Sequence, residues 1–92
     1  MLLAIDIGNT NIVLGGIQGE NICFTARMAT DRTRTEDEYA MALSQIFQLR
    51  KIDPQKLDGA ILSSVVPELK PIFVRAVRTL CGITPLVVGA GI

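Results

Sequence analysis

Ninety-two residues with nine basic and nine acidic side chains carry a formal net charge of +0, which excludes the basic field that nucleic acid or an anionic membrane surface calls for. A chain this short makes one small domain or one part of a larger one, and buries only a modest core. Hydrophobic residues nevertheless make up 49%, a surplus that suggests apolar surface meant for a second domain or another copy of the chain.

Residues 2–7 (LLAIDI) form a short, nearly all-apolar run, the pattern of a strand buried on both faces. The start MLLAIDIG has no basic leader and Asp6 interrupts it, so it reads as neither a signal peptide nor a membrane span. A polar turn follows at Gly8-Asn9-Thr10-Asn11, then a second strand over 12–17. Gly19-Glu20-Asn21 is a turn, and Ile22 to Met28 alternates as a third strand. The opening is thus a three-stranded antiparallel meander.

Thr35 is placed as a helix N-cap, with Glu38 three positions on to complete a capping box. Glu36, Asp37 and Glu38 put negative charge at the positive end of the helix dipole. Tyr39, Ala42, Leu43, Ile46 and Phe47 recur at helical spacing, and Asp53-Pro54 ends the element. Residues 59–64 (GAILSS) read as a fourth buried strand. The stripe Leu69, Ile72, Phe73, Ala76, Val77, Leu80 marks a second helix. Pro71 requires that helix either to begin late or to kink in its first turn, and Gly82 is its C′ residue. Residues 85–88 (PLVV) are the fifth strand. The order βββαβαβ predicts an α/β fold, a ribonuclease-H-like mixed sheet with helices on its faces.

Cys23 and Cys81 are the only cysteines, and there is no histidine. Two distant cysteines in apolar patterns read as small buried hydrophobes in a reducing, cytoplasmic setting. No zinc-type spacing is present.

The segment Asp6 to Asn11 carries the candidate chemistry. A carboxylate at the end of a buried strand needs a cation or donors to meet it. Gly8 lets the backbone turn and approach a ligand. Asn9, Thr10 and Asn11 bring amide and hydroxyl groups, and successive backbone N–H groups in such a bend can cradle an anion. A carboxylate for Mg²⁺ beside donors for phosphate oxygens is what phosphoryl transfer needs. The same residues are also ordinary hairpin chemistry, and an interaction domain whose hairpin is only a hairpin stays open as an alternative. Ser63 and Ser64 end a strand where crevice ligands bind, or serve packing and the next helix. Without a histidine partner neither is a nucleophile. Residues 36–39 offer an acid/base cluster, but capping and core packing account for them; Arg27, Arg32 and Arg34 either steer phosphates or form a solvated loop, and the loop is the reading taken.

MLLAIDIGNTNIVLGGI resembles the phosphate-binding first hairpin of the sugar kinase, Hsp70 and actin superfamily. Within it, the chain resembles the type III pantothenate kinases over its whole length. Four features carry the likeness: Asp6-x-Gly8-Asn9-Thr10-Asn11; Arg27 with Thr35-x-Asp37-Glu38-Tyr39; Ser63-Ser64-Val65-Val66-Pro67; and Pro85-x-Val87-Val88-Gly89-x-Gly91-Ile92. The resemblance implies that residues 1–92 are the amino-terminal nucleotide-binding lobe of a two-lobe enzyme that phosphorylates pantothenate with ATP in coenzyme A synthesis. It implies ATP and Mg²⁺ at Asp6, Ile7, Gly8, Asn9, Thr10, Asn11, Ile12 and Val13, with Asp6 toward the metal. It further implies a monovalent cation (K⁺ or NH₄⁺), a homodimer, and a substrate turn beginning at Gly89 and Gly91. Ala90 departs from the proline of the family pattern. The family's catalytic aspartate, in a Gly-Ala-Asp-Arg segment, is expected beyond Ile92, so these 92 residues alone are expected to be inactive. A non-catalytic nucleotide-binding or regulatory module of the same superfamily is the alternative.

Overall fold

The computed structural model describes residues 1–89. Strands β1 (Leu2–Ile7), β2 (Asn11–Gln18) and β3 (Asn21–Ala29) form the meander. Helix α1 (Glu36–Arg50), strand β4 (Gly59–Ser64), helix α2 (Lys70–Cys81) and strand β5 (Leu86–Val88) follow. The sheet order is β3-β2-β1-β4-β5. β1 pairs antiparallel with β2 and parallel with β4, and β5 adds parallel to β4. The ribonuclease-H-like α/β arrangement expected from the sequence is therefore present, with β1 central.

Both helices lie on the same face. Leu3, Ile5 and Ile7 of β1, Ile12 and Leu14 of β2, Phe24 of β3 and Leu62 of β4 all point to the buried side. There they meet Tyr39, Leu43 and Phe47 of α1 and Phe73, Ala76 and Val77 of α2 in one core. The ring of Phe24 meets that of Phe47 edge-on at 6.2 Å, and Tyr39 stacks on Phe73 at 4.6 Å. The alternate residues of each strand face away from the helices, and Ala4, Ile61 and Ser63 among them are half-buried while Asp6 and Leu86 are exposed. Helices on the faces of the sheet thus narrow to helices on one face. β1 is accordingly not buried on both sides: its apolar run hides a period of two, with Ala4 and Asp6 on the open side.

The helix ends follow local chemistry. Thr35 accepts from the Glu38 amide at 3.2 Å while the Glu38 carboxylate accepts from the Thr35 amide at 2.9 Å, so the capping box forms as expected. α1 stops at Arg50 because Lys51 turns left-handed, with φ 58, and Asp53 caps a short 3₁₀ turn over Pro54–Lys56. α2 takes the late start: it begins at Lys70 with Pro71 in its first turn, where a missing N–H costs nothing. Gly82 ends it at φ 73.

The two cysteines differ. Cys81 is buried as expected, but Cys23 is exposed, because β3 is an edge strand whose open-side residues nothing covers. Burial pushes the Cys81 thiol up to about 11, so little of it is thiolate near neutrality. A maleimide at pH 7.5 is expected to label Cys23 within minutes and to leave Cys81 unlabelled until urea unfolds the chain, read by intact mass. Fast double labelling of native protein would contradict this core. At Gly16, an added Cβ would overlap the Phe24 ring and stand 2.8 Å from the Met1 Sδ. Gly16→Ala is expected to destabilise by about 1–3 kcal/mol through overpacking. The readout is a lower urea midpoint at unchanged m value, and an unaltered midpoint would show that the ring moves aside freely.

Candidate functional site

The chain direction sets the site's place. β1, β3, β4 and β5 run parallel to one another, so Ile7, Ala29, Ser64 and Val88 all end at one edge of the sheet. Ligands of open α/β sheets bind outside that edge. The Gly8–Asn11 bend sits there, closed by a hydrogen bond from the Gly8 amide to the Asn11 carbonyl at 2.9 Å. Gly8 is needed for space: a Cβ would stand 3.0 Å from the Asn11 oxygen. Among non-glycine residues of the described chain only Lys51 has positive φ, and Gly8 is not among the positive-φ glycines. Asn9 and Thr10, at the tip, are exposed. Among the described residues neither of their amides donates to a protein acceptor. Two N–H groups at a bend without protein acceptors are suited to an anion.

Asp6 lies one residue from the end of β1, on the open side, and is exposed. Its carboxylate Oδ1 accepts from the Ser63 hydroxyl at 2.9 Å, which the register explains, since Asp6 stands directly opposite Ser63. The expectation of a buried charge that must be met is corrected: solvent carries most of its hydration, so Asp6 is free to turn toward an incoming cation. Below it the open face forms a concavity of about 310 Å³ floored by Ala4, Val13, Gly15 and Ile61, with Asp6 and Ser63 among its lining. The residues fit a magnesium ion that arrives with a ligand: one carboxylate and one hydroxyl are at hand, and no cluster of three His, Cys, Asp or Glu occurs among the described residues.

The other expected residues separate. Ile7 and Ile12 are wholly buried under the helices and anchor the bend from beneath, and Val13 lines the concavity. Asn11 is half-buried in β2, opposite Ala29. Ser64 is buried, its hydroxyl bonded to the Val66 amide and carbonyl at 3.0 and 2.9 Å, so its role is to start the turn toward α2. Glu36 pairs with Arg75 at 2.6 Å. Gly89 is exposed just past β5, while Gly91, with Ala90 and Ile92, lies outside the described residues.

One part of the site was not foreseen. The segment 30–34 between β3 and α1 is no free solvated loop, for it is bonded to the bend. The Thr30 hydroxyl donates to the Gly8 carbonyl at 2.8 Å and the Thr30 amide to the Thr10 carbonyl at 2.9 Å. Arg32 Nη2 donates to Asn9 Oδ1 at 2.9 Å. Arg34 lies 5.7 Å over the Tyr39 ring, a cation–π contact. Arg27, by contrast, is part of β3 and shares a row with Val13 and Asp6. The contacts of Thr30 and Arg32 span 22 and 23 positions, and no local pattern announces them.

A family model described as type III pantothenate kinase matches residues 2–92. The chain belongs to the type III pantothenate kinase family. A type III pantothenate kinase of Geobacter sulfurreducens is 45% identical over 92 residues, covering 100% of this chain and 36% of the relative. One of Moorella thermoacetica is 42% identical over the same span, again 36% of its length. The chain therefore spans about a third of the curated relatives it matches. Among solved structures, a ROK hexokinase from Thermus thermophilus superposes with TM-score 0.69 at 15% identity, over 96% of this chain and 33% of that one. A Ppx/GppA phosphatase of Aquifex aeolicus does so with TM-score 0.55 at 18% identity, over 97% and 35%. These two likenesses establish the fold that the family member shares.

Asp31 holds the loop in shape. Its carboxylate is kept below the ordinary value of 3.8, first by the Thr33 hydroxyl and then by the Thr33 amide, which donate at 2.6 and 2.9 Å. A lowered folded-state value means that the ionised form supports the loop above the ordinary pKa and that this support is lost as pH falls through the lowered one. The Asp31 carboxyl ¹³C signal is expected to titrate with a midpoint below 3.8, and the Thr33 amide to move with it. A midpoint at or above 3.8 would remove the loop's ionic support.

Proposed function

We propose that this chain is the amino-terminal lobe of an ATP-dependent pantothenate kinase, cytoplasmic and homodimeric in its complete form, acting at the first step of coenzyme A synthesis. The observation that carries the reading is Asp6, exposed on the open face beside a bend whose two tip amides lack protein acceptors. Family membership supplies the reaction class. The uncovered apolar floor beneath Asp6 fits a lobe that packs against more protein.

In this reading the γ-phosphoryl of ATP passes to the pantothenate hydroxyl. A bond forms from that oxygen to phosphorus, the bond from phosphorus to the β–γ bridging oxygen breaks, ADP leaves, and the hydroxyl proton goes to a base in the remainder of the protein. This chain's part is to bind and neutralise. The Asn9 and Thr10 amides, with the Asn11 side chain, receive phosphate oxygens, Gly8 leaves room for their approach, and Ile7, Ile12 and Val13 fix the bend that presents them. Asp6, oriented by Ser63, would hold the cation. When bound, Mg²⁺ supplies charge neutralisation at the phosphate oxygens. Gly89, just past β5, would contact the acceptor, and Gly91 is assigned the same part by the family resemblance alone, since it lies outside the described residues. None of the described residues is assigned to the monovalent cation.

The test grafts this chain in place of the matched third of the Geobacter relative and follows pantothenate-dependent ADP release. The graft is expected to turn over, and Asp6→Asn to cut kcat/KM by about 100-fold or more, the scale for losing one preorganised charge contact. The 92-residue chain alone is expected to release no ADP. Full activity and unchanged Mg·ATP affinity in Asp6→Asn would sink the assignment.

A further inference from the structure

We infer that the β3–α1 loop is a strut that presets the phosphate bend, with Arg32 and the Tyr39 hydroxyl as positioning residues acting through Asn9 and Asp31. The inference rests on the nucleotide reading of the bend, and begins from a series of contacts that capping and packing do not require.

Tyr39 is wholly buried against Phe73, so its ring is fixed by both helices. Its hydroxyl emerges at the loop and is used twice, donating to the Asp31 carbonyl at 2.6 Å and accepting from the Asp31 amide at 3.0 Å. Asp31 is thereby locked to the core by its backbone while its side chain closes the turn over Thr33. The residues on either side of Asp31 reach the bend. Thr30 takes the carbonyls of Gly8 and Thr10, on either side of Asn9, and Arg32 takes Asn9 itself. The bend is therefore held from both flanks and at its crest by one segment that is itself pinned to the core.

The chemistry of the Arg32 contact gives it a direction. A guanidinium has only donors, so it can meet Asn9 only through the amide oxygen. That settles the amide flip and turns the Asn9 Nδ2 donors away from Arg32. With Thr30 occupying the carbonyls beside them, the Asn9 and Thr10 amides keep an outward aim in the absence of ligand. A site whose donors are fixed beforehand binds more tightly because less ordering is left to do on binding. Arg32 and Tyr39 therefore matter to anion affinity without touching the anion.

The test has two arms on the ¹⁵N-labelled chain, with Arg32→Ala, Arg32→Lys, Tyr39→Phe, Asn9→Ala and the Arg32→Ala/Asn9→Ala pair. Tyr39→Phe keeps the ring in the core and deletes only the hydroxyl, and Arg32 is on the surface, so the folded state is retained. In the ligand-free arm, Arg32→Ala and Tyr39→Phe should lower the order parameters of the Asn9 and Thr10 amides. Arg32→Ala should also shift the Asn9 side-chain amide, which Arg32→Lys should partly restore. Unchanged Asn9 and Thr10 signals in both variants would overturn the strut. In the second arm, Mg·ATP titration should show about 10- to 150-fold weaker binding for Arg32→Ala, the equivalent of one charge-assisted hydrogen bond. The paired variant should be no weaker than Asn9→Ala alone. Additive losses would overturn positioning through Asn9 and make Arg32 a direct anion contact. A wild-type chain with an ordered bend and no response to Mg·ATP would leave the strut standing and sink the nucleotide reading instead.

Discussion

Both crossovers of this fold travel the same way across the sheet. α1 carries the chain from β3 to β4, past β2 and β1, and α2 carries it from β4 to β5. Each joins parallel strands, and such connections are right-handed because of the twist of the strands they join. Two right-handed crossovers in one direction must put both helices on one face. From that constraint follow the one-sided core, the open apolar floor and the exposed position of Asp6. Had either crossover run backward, its helix would have lain on the face that carries the carboxylate.

Direction also gathers the polar parts. The ends of β1, β3 and β4 fall at the same edge, so a bend after the first strand, a loop after the third and a serine on the fourth become neighbours although they are far apart in sequence. The bend itself has little to hold it, with one backbone hydrogen bond across it and two exposed residues at its tip. Its definition comes from Thr30 and Arg32, and theirs from Asp31 and the buried Tyr39. A core aromatic with a hydroxyl at its outer end suits this task, because the ring contributes packing while the polar tip reaches the rim. That division of labour connects the hydrophobic core to the site without any charge being buried.

The carboxylate illustrates how burial and use are separated. In a strand closed on both faces, Asp6 would pay a desolvation cost that only a permanent partner could offset. On the open side it keeps its water and one hydroxyl partner, Ser63. The apolar floor beside it stays uncovered among the described residues.

Much of the fold was legible in residue order. The capping box at Thr35 and Glu38, the late start of α2 behind Pro71, the stop at Gly82 and the element sequence all rest on contacts within a few residues, which spacing reveals. The Asp6–Asn11 bend was legible for the same reason. What spacing could not supply was anything set by strand order. The LLAIDI run looked buried on both sides because Ala4 is apolar and small, and only the uncovered face shows that it is not. Cys23 looked buried because its neighbours are apolar, but β3 is an edge. Arg32 looked like solvated loop, and Thr30 drew no notice, because the side-chain partners of both lie more than twenty residues away. The sequence by itself determined the elements, their caps and the chemical character of the bend, since these are short-range properties of the chain. The tertiary structure alone decided which face stayed open, which hydroxyl the Asp6 carboxylate met and what braces the bend, since those depend on the pairing of strands and the hand of their connections.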